Sequence, residues 1–395
     1  GRVLNGPAGE FPEPARPPGR ENRFDESVER KGRNREPECL IASISMRMEE
    51  KAMARIKLGI GMSHSPMMAM DGKYWIEFAK TDESNPFLYD ENGNHLTYEQ
   101  LEKKRNGLYR VEATPERFEY LFREMKKSYA HLKEQLNKAQ IDVLVVIGND
   151  HPGEFLDLYN VPAFAVFYGE KIISMKEEDR TRKLGRKQRM GEIPEALQQM
   201  KEGMGMDQNH VWPGHPPLAL HLISSLLEQG VDAGALKEVD DPSRNGHGHG
   251  YGMVVTELMD KDRLIPMVPI YLNTWPPNEI PTSRCYDIGL KIRKAVEEWP
   301  EEANVGIVIS GGLSHFVTDE DLDRTIIDAL LNKKEDVLRG LPRHLIHAGP
   351  GNSEIRNWVM GAAVLEQLPM AWHRYLPVFR TGAGTGIGMT FALWQ

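Results

Sequence analysis

Three short apolar runs constrain the fold of this chain most: Ile56-Lys57-Leu58-Gly59-Ile60, Asp142-Val143-Leu144-Val145-Val146-Ile147 and Val305-Gly306-Ile307-Val308-Ile309. Each has the length and the aliphatic content of a strand buried in a sheet. Each is followed by a turn that carries a histidine: Ser63-His64-Ser65-Pro66, Asn149-Asp150-His151 and Gly311-Gly312-Leu313-Ser314-His315-Phe316. Open α/β sheets place their chemistry at the carboxyl ends of strands, so these turns are the first positions to search for a site.

Helical patterns separate the runs. Thr114-Pro115-Glu116 opens a helix with a capping hydroxyl, a proline at the first helical position and an acid in the first turn. Phe118, Leu121, Phe122, Met125, Tyr129, Leu132 and Leu136 follow at helical spacing. Pro162 to Tyr168 and Leu264 to Leu272 read as further strands, and Leu218 to Leu227 and Tyr286 to Trp299 as helices. The alternation predicts an α/β fold: a single domain with a mostly parallel central sheet flanked by helices. Asp71 to Asn106 and Lys171 to Gln208 interrupt it. The charge of the second segment reads first as a solvated helix and loop, with a mobile lid as the alternative.

Composition narrows the partners. A formal charge of -9 over 395 residues argues against nucleic-acid binding as the main role, which needs a surplus of lysine and arginine. No apolar run approaches the roughly 20 residues of a membrane span, so no membrane partner is expected. Two cysteines, Cys39 and Cys285, cannot build a disulfide scaffold or a four-thiolate zinc site, and a reducing cytoplasm is the default. Residues 1–52 are rich in Pro, Gly, Arg and Glu and are expected to be a disordered extension, leaving 53–395 as the catalytic domain. That stretch has no apolar core region of a signal peptide, and Met53, just ahead of the first strand, reads as an alternative start. No GxGxxG or GxxxxGK[ST] motif follows a strand, so nucleotide binding lacks its usual mark.

Two imidazoles and one carboxylate on one face form the usual iron(II) site of non-haem oxygenases. His64 and His151 are the natural imidazoles. Glu354, at the start of a predicted helix that Ser353 would cap, competes for the carboxylate position with Glu320 and Asp321. A lone histidine after a strand is more often a hydrogen-bonded structural residue, but three at three strand ends point to one site. His215 and His221 read as structural.

The motifs Gly-Ile-Gly-Met-Ser-His-Ser-Pro at 59–66, Asn-Asp-His at 149–151, Asn-Thr-Trp-Pro-Pro at 273–277, Gly-Gly-Leu-Ser-His at 311–315 and Ser-Glu-Ile-Arg-Asn-Trp at 353–358 occur in that order. In them the chain resembles the catalytic subunit of class III extradiol ring-cleavage dioxygenases, the group of protocatechuate 4,5-dioxygenase and the gallate and methylgallate dioxygenases. The likeness runs from Arg55 to the C-terminus. It implies non-haem Fe(II) held by His64, His151 and Glu354. It implies His315 as the catalytic acid/base and His249 as a second catalytic histidine, with His247 in reserve because His-Gly-His-Gly leaves the register open. Asn149 matches a polar residue beside the iron and is expected to help bind substrate. The implied reaction is extradiol cleavage of a catecholic aromatic acid of the protocatechuate, gallate or methylgallate type by dioxygen. Imidazole changes charge near neutral pH, which suits a proton carrier in such a reaction.

The chain departs from the group in two places. It lacks the small helical second subunit of protocatechuate enzymes, and the segments 71–110 and 171–210 are expected to cover the site instead, in a homodimer. Gly382-Ala383-Gly384-Thr385-Gly386 stands where protocatechuate enzymes place a serine and an asparagine near the substrate carboxylate, so Arg380 and Thr385 are the candidates to bind it. The rival readings are a zinc hydrolase built on the same three ligands and a non-catalytic binding protein of the same fold.

Overall fold

Parallel strands cannot be joined by a tight turn, and the helices between the apolar runs supply the crossovers. The computed structural model describes residues 53–395 except 152–153, 157–160, 186–189 and 347–350; the expectation for residues 1–52 lies outside the described residues. In chain order the strands are β1 (Arg55–Met62), β2 (Leu88–Tyr89), β3 (His95–Leu96), β4 (Val143–Gly148), β5 (Phe164–Phe167), β6 (Lys171–Ile173), β7 (Val211–Pro213), β8 (Gly234–Leu236), β9 (Met267–Leu272), β10 (Asn304–Ser310), β11 (Met370–Phe379) and β12 (Gly386–Trp394). Eight of them form one sheet in the order β11-β12-β1-β10-β4-β9-β5-β8. Its centre, β1, β10, β4 and β9, is parallel, with Met62 opposite Ser310 and Ile309 opposite Ile147. The flanks are antiparallel where β12 joins β1 and β5 joins β9.

Side chains alternate across this sheet into two cores. Leu144 and Val146 of β4 point to one face, and Val143, Val145 and Ile147 to the other. The first face is covered by the helix Pro115–Ala139, which buries Phe118, Leu121, Met125, Tyr129, Leu132 and Leu136. Thr114 caps it by accepting from the Arg117 N–H. The second face carries the helices Pro216–Glu228, Thr282–Glu297, Glu320–Leu331 and Ile355–Val364. Burial on both faces explains why the central strands read as unbroken apolar runs.

The helix Ile355–Val364 approaches the sheet unusually closely. A Cβ added to Gly61 of β1 would fall within the Trp358 ring, and one added to Gly361 would meet Ile309 of β10. Glycine on each surface removes the atoms that would hold the two apart. The residue immediately before this helix is Glu354, which the close packing delivers to the sheet edge.

Two expectations change. The C-terminal segment, for which no strand is predicted, is the long hairpin of β11 and β12, with Gly382 and Gly384 in the turn between them. Ser353 is buried and caps nothing: its hydroxyl has no partner, and Gly351 opens the short 3-10 turn Asn352–Glu354. No helix among the described residues is long and apolar enough to cross a membrane.

Candidate active site at the carboxyl ends of three parallel strands

β1, β10 and β4 are neighbours and run the same way, so the turns after them meet at one edge of the sheet. Neighbouring strands lie about 4.8 Å apart, which leaves β1 and β4 roughly 10 Å apart across β10. The side chains close that gap: the rings of His64 and His151 have centroids 5.5 Å apart. His249, the first residue of the helix His249–Leu258, brings its ring within 5.2 Å of His64 and 4.2 Å of His151. One ligand atom from each of these three lies within 4.8 Å of the others.

Hydrogen bonds determine which nitrogen of each ring carries the proton. The Ser310 hydroxyl donates to the Gly250 carbonyl at 2.6 Å, so at 2.7 Å from His64 Nδ1 its oxygen can only accept. His64 Nδ1 is therefore the donor, and Nε2 is a lone pair turned into the site. That Nε2 is buried with no hydrogen-bond partner. His315 Nδ1 lies 2.8 Å from the Leu313 carbonyl and must donate to it, which leaves Nε2 as an acceptor facing the cavity.

Glu354, 4 % exposed, sits among these rings. Its Oε1 is 3.1 Å from His151 Nε2, and its Oε2 is 3.5 Å from His64 Nε2 and 3.6 Å from His315 Nε2. Oε2 accepts the Gly312 N–H at 2.8 Å, and Oε1 accepts from Asn149 Nδ2 at 3.5 Å. Burial works against the charge of Glu354, but positive charge at the His64 and His315 rings outweighs it and holds the carboxyl well below its ordinary range; with both rings neutral, that charge has to come from a bound cation. His151 shows the opposite balance: burial pulls it down, while Glu154 and Glu354 together push it up to about 10. Without a cation, a proton on His151 is what offsets the two carboxylates.

The residues fit a divalent metal. An orphaned, buried imidazole lone pair facing two more imidazoles and an ionised carboxylate is costly unless a cation accepts it. A nitrogen and oxygen donor set of this kind suits iron and zinc alike.

Residues 108–386 match the family described as the catalytic LigB subunit of aromatic ring-opening dioxygenase. The chain belongs to that family. The chain is also 29% identical to a gallate dioxygenase of Pseudomonas putida over 185 residues, which are 44% of this chain and 52% of the relative. It thus spans about half the length of that curated relative. His64 lies ahead of the matched stretch, so its place in the site rests on the geometry above.

A cavity of about 640 Å³ opens beside the LigB-family cluster, bordered by His64, His151, His249, His315 and Glu354. Its farther walls include Phe78, Phe87, Leu184, Ile193, Trp275 and Phe316. Phe78 and Phe87 come from the first interrupting segment, and Leu184 and Ile193 from the second. The second segment is therefore not simply solvated: it turns one face to the cavity.

The structure separates the remaining candidates. His247 is not in the site; burial among Phe155, Phe167 and Tyr251 pulls its pKa down to about 3, and Tyr271 meets its Nδ1 at 2.5 Å. Glu320 pairs with Arg324, and neither it nor Asp321 borders the cavity. His215 caps a helix and His221 bonds the Ala295 carbonyl, as structural residues do. Asn149 is buried behind Glu354 and receives Asn357 Nδ2 at 3.0 Å, so it braces the carboxylate instead of meeting substrate.

Arg380 and Thr385 are revised as well. Arg380 Nε and Nη2 engage both oxygens of Asp82 at 2.8 and 2.9 Å, and the Thr385 hydroxyl donates to the same carboxylate at 2.7 Å. A guanidinium only 3 % exposed requires such a counter-ion, and Asp82 engages two of its nitrogens where Arg380 borders the cavity. Asp82 was not recognised from sequence, nor were Ser310 and Glu154, because single polar residues in a short 3-10 helix, at a strand end or in a bend leave no periodic signal.

Proposed function

We propose that residues 53–395 form an iron(II)-dependent extradiol dioxygenase that opens a catecholic ring with dioxygen. The observation that carries this reading is the unpartnered lone pair of His64, aimed with His151 at the ionised Glu354. In it, His64, His151 and Glu354 hold the iron. Iron(II), when bound, lowers the pKa of a coordinated phenol and gives electrons a path between ring and dioxygen.

The chain's own groups do the rest. Gly312 N–H and Asn149 Nδ2 keep the Glu354 carboxylate in one orientation. His315 Nε2, left as an acceptor by the Leu313 bond, takes the phenolic proton and returns it when the opened product needs it. His249 borders the same space, and burial, aided by the charge of His151, pulls it down to about 3, so it serves as a neutral imidazole beside substrate. The aromatic walls position the ring and exclude water. Gallate, protocatechuate and 3-O-methylgallate are the first substrates to try, since the P. putida relative is named for gallate.

The test is anaerobic purification with Fe(II), metal analysis and an oxygen electrode, with the yellow ring-opened product read by absorbance. Bound iron and oxygen uptake on adding a catechol are expected. Glu354→Ala should lose iron while Asp321→Ala retains it. Tightly bound zinc without oxygen uptake would overturn the proposal in favour of a hydrolase.

A further inference from the structure

One buried carboxylate beside the site has no task in the mechanism above. Glu154 is 1 % exposed and follows His151 by three residues. Its Oε1 accepts from His249 Nδ1 at 3.1 Å and faces Arg180 Nε at 3.2 Å. Its Oε2 accepts the backbone N–H of His151 at 3.2 Å and stands 3.3 Å from Nδ1 of the same residue.

These contacts have one chemical sense. An ionised carboxylate only accepts, so His249 Nδ1 carries a proton; His151 Nδ1 lies outside hydrogen-bond geometry and is drawn to the same carboxylate by charge, and each Nε2 is turned away from it. In His151 that Nε2 lies against Glu354, and in His249 it belongs to the ring beside His64 and His151.

The fold reserves room for this group. A Cβ built on Gly248 would overlap the Glu154 carboxylate, so only glycine at 248 lets His249 and Glu154 meet. Arg180 comes from the helix Glu177–Lys183, which borders the cavity, and brings the counter-charge that a buried carboxylate requires.

We propose that Glu154 is a positioning residue shared by two histidines: one carboxylate fixes the ring orientation and proton placement of His151 and His249 together, with Arg180 as its counter-ion. The inference rests on the iron-centre reading above and extends it. Carboxylates that hold metal-binding imidazoles in this way typically change metal affinity by about 10–100-fold when removed.

The experiment measures Fe(II) binding to metal-free protein under argon, by competition with a chelating dye. Glu154→Gln keeps the size of the side chain, but its amide accepts at one end only, so one imidazole N–H meets a donor. Gly248→Ala leaves Glu154 in the chain and displaces its carboxylate. Both variants are expected to remain folded without metal, at a lowered unfolding temperature, and to bind Fe(II) about 10–100-fold more weakly. Co(II) substituted into the Gln variant is expected to show shifted visible bands, because the imidazole donors have turned. Wild-type affinity in either variant, or unshifted Co(II) bands, would overturn the proposal. A metal-free variant that no longer folds would also overturn it, by making Glu154 a structural counter-ion of Arg180. Iron retained by Glu354→Ala would strike instead at the ligand set, an outcome distinguishable from any result at Glu154.

Discussion

His315 stands apart from the other imidazoles of the site in what its protons are tied to. Its Nδ1–H is engaged by a backbone carbonyl two residues away, whereas His249 faces a carboxylate and His64 a serine hydroxyl. A ring anchored to its own turn keeps its outer nitrogen available whatever happens to the carboxylates. His315→Ala should therefore retain iron and still bind a catechol, while kcat falls by about 10²–10⁴, the usual contribution of a positioned acid/base. Iron analysis and steady-state kinetics check this, and an unchanged kcat would remove the role. The three histidines after strands were legible in the sequence because apolar runs announce strand ends. Glu354 was legible only through the family resemblance, since Glu320 and Asp321 also open a helix and only three-dimensional packing gives the physical reason why one acid reaches the sheet edge. Glu154 and Asp82 act across loops and segments whose proximity no spacing rule encodes.

At the scale of elements, the decisive contact is the helix Ile355–Val364 against β1 and β10. Gly61 and Gly361 let it sit where Trp358 Nε1 donates to the Gly311 carbonyl at 2.9 Å and Asn357 Nδ2 to the Ser310 carbonyl at 2.9 Å. These bonds tie the turn that carries His315 to the helix that follows Glu354. Gly61→Val would push the indole outward; overpacking of this kind typically costs about 1–3 kcal/mol. The expected outcome is a lower urea midpoint with an unchanged slope, together with weaker Fe(II) binding as Glu354 moves. A variant with normal iron affinity would uncouple the helix position from the site. The helices Pro115–Ala139 and Thr282–Glu297 were readable from their periodicity and, for the first, its cap. The hairpin of β11 and β12 was not: every residue of β12 is buried, so the alternation that marks a surface strand is missing.

For the molecule as a whole, the proposed ligands come from three distant parts of the chain, so metal binding has to stabilise the entire domain. A ligand that binds only the folded state adds about 2.7 kcal/mol at a free concentration 100 times its Kd. Fe(II) under argon should accordingly raise the Tm of the metal-free protein, and Glu354→Ala should abolish the rise. An equal rise in that variant would place the stabilising ion elsewhere. The two-faced sheet was legible because its strands are long enough in apolar residues to be recognised one at a time. The enclosure of the cavity was not, because it depends on where two polar, irregular segments come to rest.

The three strand ends that gather the histidines belong to the hydrogen-bonded centre of the sheet, whereas Phe78, Phe87, Leu184 and Ile193 arrive on insertions between its elements. Much of the apolar wall is thus carried by stretches of chain separate from the histidines, while Trp275 and Phe316 come from the turns of the sheet itself. If the chain opens rings as proposed, exchanging the first insertion, with its Phe78 and Phe87, would alter specificity while leaving the metal ligands in place, whereas the second also carries Arg180, the counter-ion of Glu154.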